Sequence, residues 1–450
     1  MNLQKEKFSY FILFLISLIF ISLWFWARAI LSISFIIITL IYLYSNRSSF
    51  LSSIKENLYQ NPSFAFLLFA GVLYSVNCIY LSIINQEIHT IELLFVLANP
   101  LIVTLYTFAL IHLLSKNENH AKYLINVFCI IISFIAILSF FVFIFYYLKG
   151  QNFLIRDFYS NADHAGQSQN LVALTFPFTA VLLLNKVPDI KKVSYKIFII
   201  AIALIIIFAD VFINQSKIGY IIELTVLVYY CYYIIKKYSY INKKLFIRKF
   251  LLVLVLVIFS LGGSLYITYK TSTIFHQRVS TGISGFNKFF NKNNSKTIEG
   301  SVEIRLIYYS NSIKIFKKYP KILLFGCPIN ESTISPWVCT GNIINKDLQL
   351  QKDMKGLKDI PPHNEFINYT YQSGIFASLS LLIFLILIFY EAKHINKKYI
   401  VSMRVLIMAF FVGCCFEFYM TRQMNLSVFF TLLGIFLSTK NNKALNHKNS

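Results

Sequence analysis

The chain has 450 residues, of which 57% are hydrophobic, 17% aromatic and 14% charged, and its formal net charge is +23. This composition excludes an ordinary soluble globular protein and a disordered one. The net charge does not indicate a nucleic-acid partner either, because most lysines and arginines lie in short segments between apolar stretches. We therefore expect a membrane protein that binds no nucleic acid.

Twelve apolar stretches follow one another along the chain. A helix needs roughly 20 apolar residues to cross a hydrocarbon core of about 30 Å. The stretches lack the alternation of apolar and polar residues that strands of a membrane barrel have. No small-residue cleavage site follows the first stretch, so we expect it to remain as a helix. The predicted spans are residues 8–26, 29–44, 64–84, 91–114, 123–148, 169–184, 195–213, 218–235, 249–267, 366–390, 400–418 and 426–438.

These stretches predict an all-α polytopic membrane protein with about twelve transmembrane helices. One long polar segment interrupts them and divides the chain into three parts. Residues 1–267 hold helices 1 to 9, residues 268–365 form the polar loop, and residues 366–450 hold helices 10 to 12 and a tail.

Basic residues are concentrated in both termini and in every second short loop. Membrane proteins keep such segments in the cytoplasm, so we expect both termini there and the polar loop outside, in the periplasm if the cell is Gram-negative. The polar loop contains fourteen basic and seven acidic residues, and long loops cross the membrane regardless of charge. Its lysines either attract anionic lipid headgroups or, in a few cases, bind a specific anion.

Within the polar loop, residues 301–318 are predicted to form a helix. Steps of three or four place Leu306, Tyr309, Ile313 and Phe316 on one face of that helix.

Two of the seven cysteines, Cys327 and Cys339, lie in the polar loop, whereas the other five lie in or near spans. An oxidising exterior favours a disulfide between these two, which would contribute about 3 kcal/mol. Two free thiols are the alternative.

His363 stands at the end of the polar loop, after two prolines and directly before an apolar stretch. A hydrated histidine titrates near neutral pH, as a general base must. The alternative is a surface histidine that caps the following helix, a role that Asn364 can equally fill.

Residues 363–379, HNEFINYTYQSGIFASL, resemble the signature of the O-antigen ligase family of glycosyltransferases, with His363 and Asn364 followed after nine residues by Gly374. The related O-antigen polymerases have a similar region. Ala377 stands where the family has a second glycine, which affects local helix packing only.

Two upstream segments support the same resemblance. Residues 304–326, IRLIYYSNSIKIFKKYPKILLFG, look like the family's arginine, aromatic, proline and glycine stretch, here Arg305, Tyr309, Pro320 and Gly326. Residues 215–219, QSKIG, resemble the family's Ser-Arg-x-Gly element. Lys217 replaces the usual arginine, so it keeps the charge but cannot bind a phosphate through two parallel hydrogen bonds.

The resemblance implies a GT-C-like fold and transfer of a glycan from undecaprenyl diphosphate to an acceptor sugar hydroxyl, without nucleotide, metal or other cofactor. For an O-antigen ligase the acceptor is lipid A–core, and the enzyme lies in the bacterial inner membrane among membrane lipids. His363 would be the base, and the leaving diphosphate needs cations on the same side. The candidate residues are His363 and Arg305 for catalysis, Lys217, Arg156, Arg305 and Arg422 for the diphosphate, and Asn364, Ser216 and Tyr309 in support.

Two other functions remain open at this point. A polymerase would extend the lipid-linked repeat, although the nine-residue spacing favours the ligase. A transporter or flippase would suit twelve helices, but it predicts internal repeats that are not evident here.

Several acids lie within or at the ends of spans, where charges are costly and are usually functional. They are Glu92, Asp210, Glu223 and Glu417. Asp210 and Glu223 flank the turn that contains Lys217, so they can position that lysine. Asp163 and His164 form a close acid–histidine pair outside, for which a structural role fits better than metal binding.

Overall fold

The computed structural model describes residues 2–22, 28–85, 99–115, 117–151, 162–214, 216–238, 273–291, 301–326, 363–417, 419–420 and 423–440, with a few single positions between 262 and 270. Nearly all of these residues are helical, and their one β feature is an isolated bridge between Ile395 and Lys440. The prediction of an all-α protein is therefore confirmed for the described residues.

Sixteen helices cover the described ranges. They are α1 (Asn2–Ser22), α2 (Arg28–Ser45), α3 (Phe50–Gln60), α4 (Ser63–Asn85), α5 (Pro100–Leu114), α6 (Glu118–Leu148), α7 (Ala162–Lys186), α8 (Val193–Phe208), α9 (Lys217–Tyr238), α10 (Thr273–Asn291), α11 (Ser301–Lys318), α12 (Pro320–Phe325), α13 (Glu365–Ser373), α14 (Ile375–Glu391), α15 (Ile400–Phe416) and α16 (Gln423–Leu437). A π-helical turn, Ala209–Asn214, continues α8.

Five helical segments in the described residues are long and apolar enough to cross a membrane. A sixth is reached if α2 and α3, which are bent by 112° relative to each other, count as one span. Five further apolar helices are shorter, and most of the predicted span 249–267 lies outside the described residues. The fold is therefore that of a helical multi-pass membrane protein, whereas the number twelve stays a prediction.

Large apolar side chains on the outside of the bundle fit this interpretation. On α6, Phe134 is 65% exposed and Phe141 is 63% exposed. Contiguous exposed aromatic residues are unusual on a soluble protein but are expected where a helix meets lipid.

The structure corrects two predicted spans. Residues 366–390 do not form one helix, because Gly374, at φ +82°, separates α13 from α14. In the predicted span 91–114, α5 begins only at Pro100, where the Asn99 side chain accepts from the backbone N–H of Leu101 at 3.0 Å. Asn99 and Pro100 therefore start a helix, as expected of a cap followed by proline.

Lysine-rich segments meet at one end of the bundle, which we call the basic end. Lys440 Nζ donates to the carbonyl oxygen of Gln60 and to Asn61 Oδ1, both at 2.6 Å. Asn185 Nδ2 donates to the carbonyl oxygen of Lys398 at 3.0 Å. The loops predicted to share the cytoplasmic side thus lie together in space.

Helices α11, α12 and α13 form a small cap with its own apolar cluster at the opposite end. Tyr308, Ile315, Ile322 and Tyr371 are buried in it. The predicted helix 301–318 is confirmed. Of the apolar residues on its predicted face, Tyr309 and Phe316 pack against this cluster, whereas Ile313 is 57% exposed.

Candidate functional site

Three charged or titratable side chains meet where the cap joins the end of α15. Nδ1 of His363 lies 3.1 Å from Oε2 of Glu417. Nη2 of Arg305 donates to the other oxygen, Oε1, at 2.8 Å. One carboxylate therefore holds the predicted base and the predicted cation at once. We call His363, Glu417 and Arg305 the triad.

The triad is largely shielded from solvent. The side chain of Glu417 is 7% exposed, that of Arg305 17% and that of His363 26%. A carboxylate can only accept hydrogen bonds, so the proton on the imidazole ring must be on Nδ1. In the neutral ring the lone pair is then on Nε2, which is the arrangement a histidine base requires.

Arg305 has donors that Glu417 does not use. A guanidinium carries five N–H groups in a fixed plane. The Nε of Arg305 is buried and has no hydrogen-bond partner among the described residues. Leaving such a donor unsatisfied is costly. The 17% of the side chain that is exposed can meet a further acceptor.

The backbone at His363 is fixed in an uncommon conformation. Its φ is +45°, and it is the one non-glycine residue with positive φ in the described part of the chain. Tyr309 Oη donates to the carbonyl oxygen of His363 at 3.2 Å, and burial raises the pKa of Tyr309, which keeps this donor protonated. The predicted supporting role of Tyr309 thus has a definite contact.

Asn364 fills the capping role that the sequence left open between it and His363. Its Oδ1 accepts from the backbone N–H of Ile367 at 3.0 Å, which caps α13. Its Nδ2 donates to the carbonyl oxygen of Cys415 at 2.7 Å. Asn364 therefore joins the start of α13 to the end of α15 and leaves the His363 ring available to Glu417.

The two motif glycines bring the two motif segments together. A Cβ added at Gly326 would lie 2.8 Å from the carbonyl carbon of Gln372, and one added at Gly374 would collide with the carbonyl oxygen of Leu324. Both glycines have φ +82°. The chain after α12 and the chain after α13 thus approach backbone to backbone, and only glycine permits this.

Glu365 is a site residue that the sequence reasoning missed. It is fully buried, its Oε2 accepts from the backbone N–H of Met420 at 2.9 Å, and its Oε1 accepts from Asn368 Nδ2 at 3.2 Å. The bond from Met420 holds the segment after α15, which carries Glu417, whereas Asn368 belongs to the same helix as Glu365. Glu417 itself was flagged only as an acid at a span end, because its partners come from two distant segments.

Lys217 begins α9 at the same end of the bundle as the triad. Arg404, near the start of α15, lies 3.5 Å from the hydroxyl of Tyr229, in the second half of α9. The two helices are antiparallel. Twelve residues before Tyr229 is Lys217, and twelve residues after Arg404 is Phe416, and each step is a rise of about 18 Å in the same direction. Lys217 is therefore level with Phe416.

Hydrogen bonds across the bundle agree with this placement. Tyr419 Oη donates to the carbonyl oxygen of Asn170 at 3.1 Å. The neighbouring Gln169 and Asn214 exchange hydrogen bonds of 3.3 and 3.1 Å, and Asn214 is three residues before Lys217. Ser216 directly precedes α9 and caps it, since its Oγ accepts from the backbone N–H of Gly219 at 3.3 Å.

Several predicted site residues lie outside the described residues. They are Arg156, Arg422, Cys327 and Cys339. The side chains of Asp163 and His164 are likewise not described. Within the described part of the chain, no three His, Cys, Asp or Glu side chains are grouped closely enough to hold a metal ion.

No protein-family model matches the chain, and a search of curated proteins finds no match. The resemblance of the motifs to the O-antigen ligase family therefore stays a prediction.

Proposed function

We propose that this protein is a membrane glycosyltransferase of the O-antigen ligase type. It would transfer a glycan from undecaprenyl diphosphate to a sugar hydroxyl of lipid A–core in the bacterial inner membrane, without a metal or other cofactor. Both termini would be cytoplasmic and the triad periplasmic. The observation that carries the proposal is the 3.1 Å contact between Nδ1 of His363 and Oε2 of Glu417.

The proposed reaction is a single displacement. The acceptor hydroxyl gives its proton to Nε2 of His363 as its oxygen forms a bond to the anomeric carbon. The bond from that carbon to the diphosphate oxygen breaks on the opposite side, so the anomeric configuration inverts. Glu417 then faces an imidazolium ring, which its negative charge stabilises.

The charge of the triad changes in the direction that this reaction needs. Arg305 and Glu417 together are neutral when His363 is neutral. When His363 takes the proton, the triad gains one positive charge while negative charge grows on the leaving diphosphate. Arg305, through its unused donors, and Lys217, at the same end of the bundle, are the cations that we assign to that diphosphate.

The substitution His363→Asn in the native host tests the proposal. Asparagine tolerates positive φ, so it removes the base with little backbone strain. We expect long glycans to accumulate on the lipid carrier and to be missing from lipid A–core. His394→Asn, an exposed histidine at the basic end, is the matched control and should leave both fractions unchanged.

The same experiment separates the alternatives. Cores that carry a single repeat would identify a polymerase instead. Normal amounts of both fractions would refute the role of His363. A purified reaction that stops with a chelator and resumes with added metal would contradict the metal-independent mechanism.

A further inference from the structure

Two carboxyl groups lie buried inside the helical bundle, apart from the triad. Asp210 is 2% exposed and Glu223 is 1% exposed. Asp210 belongs to the π-helical turn Ala209–Asn214, and Glu223 belongs to α9. Charges are costly at such positions, and π-helical turns are frequent at functional sites. The proposed transfer reaction uses neither group.

The two groups interact with each other and with Asn214. Nδ2 of Asn214 donates to Oδ1 of Asp210 at 2.8 Å. Glu223 lies one helical turn after Gly219, where an added Cβ would be 3.3 Å from Oδ1 of Asp210, so the two carboxyl groups are close enough to interact electrostatically. Among the described residues, no group donates to Oδ2 of Asp210 or to either oxygen of Glu223. Ionised carboxylates only accept, so two of them here would leave these buried oxygens without a donor, whereas a proton on one carboxyl group lets it donate to the other.

The start of α9 is packed closely against Asp210 and the π-helical turn. A Cβ added at Gly219 would lie 3.3 Å from Oδ1 of Asp210 and 3.2 Å from Cβ of Ser216. Tyr220 Oη donates to the carbonyl oxygen of Val211 at 2.9 Å, which ties α9 to the π-helical turn. Asn214 is fully buried, and its Oδ1 has no partner in the described part of the chain.

Few titratable groups lie on the helices packed against the pair. Residues 169–185 of α7 contain none. The remaining titratable groups lie on three neighbouring helices. They are Lys217 and Tyr220 on α9, Tyr146 and Tyr147 at the end of α6 near Phe208, and Cys414 and Cys415 on the second half of α15. Two full negative charges side by side in this environment would repel each other strongly, whereas one shared proton removes that repulsion.

We propose that Asp210 and Glu223 bind one proton between them, forming a buried proton-binding site of net charge −1 that joins the π-helical turn to α9. The site does not depend on the proposed glycosyl transfer. Asp210 precedes and Glu223 follows the turn that contains Lys217. The interaction between the two acids therefore also positions the start of α9, which carries Lys217. This second role rests on the proposed function.

Infrared spectroscopy of the full chain in detergent at neutral pH tests the site. A protonated carboxyl group has a carbonyl band distinct from that of a carboxylate, and the band shifts in D₂O. We compare the wild type with Asp210→Asn, Glu223→Gln and the double variant. The amides keep the size of the side chains and can hydrogen bond to each other, so the fold should be retained, which thermal unfolding checks.

We expect the double variant to lose one protonated carboxyl band of the wild type, and each single variant to shift or remove that same band. Glu391→Gln, a buried acid at the basic end, should keep the band of the pair. A double variant with the full protonated signal of the wild type would overturn the proposal. A wild-type carboxylate signal that changes when sodium is replaced by choline would overturn it too, because it would identify a sodium site.

Discussion

Nδ1 of His363 lies 3.1 Å from Oε2 of Glu417, although the two residues are 54 positions apart and belong to different segments. Glu417 follows the last turn of α15, where its backbone N–H donates to the carbonyl oxygen of Gly413 at 2.7 Å. His363 precedes α13. The contact therefore depends on how the cap packs against the bundle, and Glu417 is the residue that connects the cap to the bundle.

The first prediction concerns Glu417→Gln. The amide keeps the size of the side chain but removes the negative charge that orients His363 and stabilises its protonated form. Replacing the carboxylate that orients a histidine base by its amide can lower kcat by about 10⁴-fold. We expect kcat for glycan transfer to fall by about that factor, with a smaller change in KM, in an assay with purified donor and acceptor.

Glu391→Gln is the matched control for this variant, because Glu391 is a similarly buried acid at the basic end. It should retain normal kcat. Wild-type kcat in Glu417→Gln would show that Glu417 does not act on the base.

The second prediction is that Arg305 and Glu417 are energetically coupled. Their 2.8 Å ion pair is mostly buried, and removal of one partner leaves the other charge without compensation. Arg305→Gln and Glu417→Gln should each lower the free energy of unfolding. The double variant should lose less than the sum of the two, by about 0.5–3 kcal/mol.

Equilibrium unfolding in detergent of the wild type and the three variants measures this coupling. Additive effects would mean that the ion pair contributes nothing to stability.

The sequence predicts the helical parts of this molecule better than it predicts the site. Apolar length and the spacing of Ser301–Lys318 identify helices, because these signals are local. The break at Gly374 was not predicted, since residues 366–390 read as one apolar stretch. Its cause is the Leu324 backbone, which approaches from a segment 50 residues away.

The site was predicted in part. His363, Arg305, Tyr309 and Asn364 were all selected from motifs, and the structure places them together. Glu417 is predicted from the sequence only as a functional acid at a span end, and its contacts with His363 and Arg305 are not, because nothing near it in the sequence indicates these partners. The burial of Glu365 is not predicted from the sequence either, because a glutamate at the start of a helix is usually exposed.

The third prediction concerns the close approach of the two motif segments. Gly374 has φ +82° and ψ 171°, a region open almost only to glycine, where other residues cost about 1–3 kcal/mol. Gly374→Ala adds a collision with the Leu324 carbonyl oxygen. We expect a clear loss of thermal stability and faster proteolysis within residues 301–326.

Gly150→Ala separates the two causes. Gly150 has φ +70°, but nothing lies within 4 Å of an added Cβ, so this variant bears the backbone cost alone. A Gly374→Ala protein as stable as Gly150→Ala would show that the approach of the segments is not tight.

The fourth prediction concerns Lys217. A hydrogen bond to a charged group contributes about 1.5–3 kcal/mol, so Lys217→Gln should lower kcat/KM for the diphosphate-linked donor by roughly 10- to 100-fold. Lys217→Arg should retain most activity, because it keeps the charge. The control is Lys149→Gln. Lys149 follows α6, whose end lies beside the end of α8, because Phe143 packs on Phe208 with ring centroids 5.8 Å apart. Lys149 is therefore a basic residue at the same end of the bundle as Lys217. Equal losses in Lys217→Gln and Lys149→Gln would indicate a general effect of positive charge at this end of the bundle, and unchanged kcat/KM in Lys217→Gln would remove Lys217 from the site.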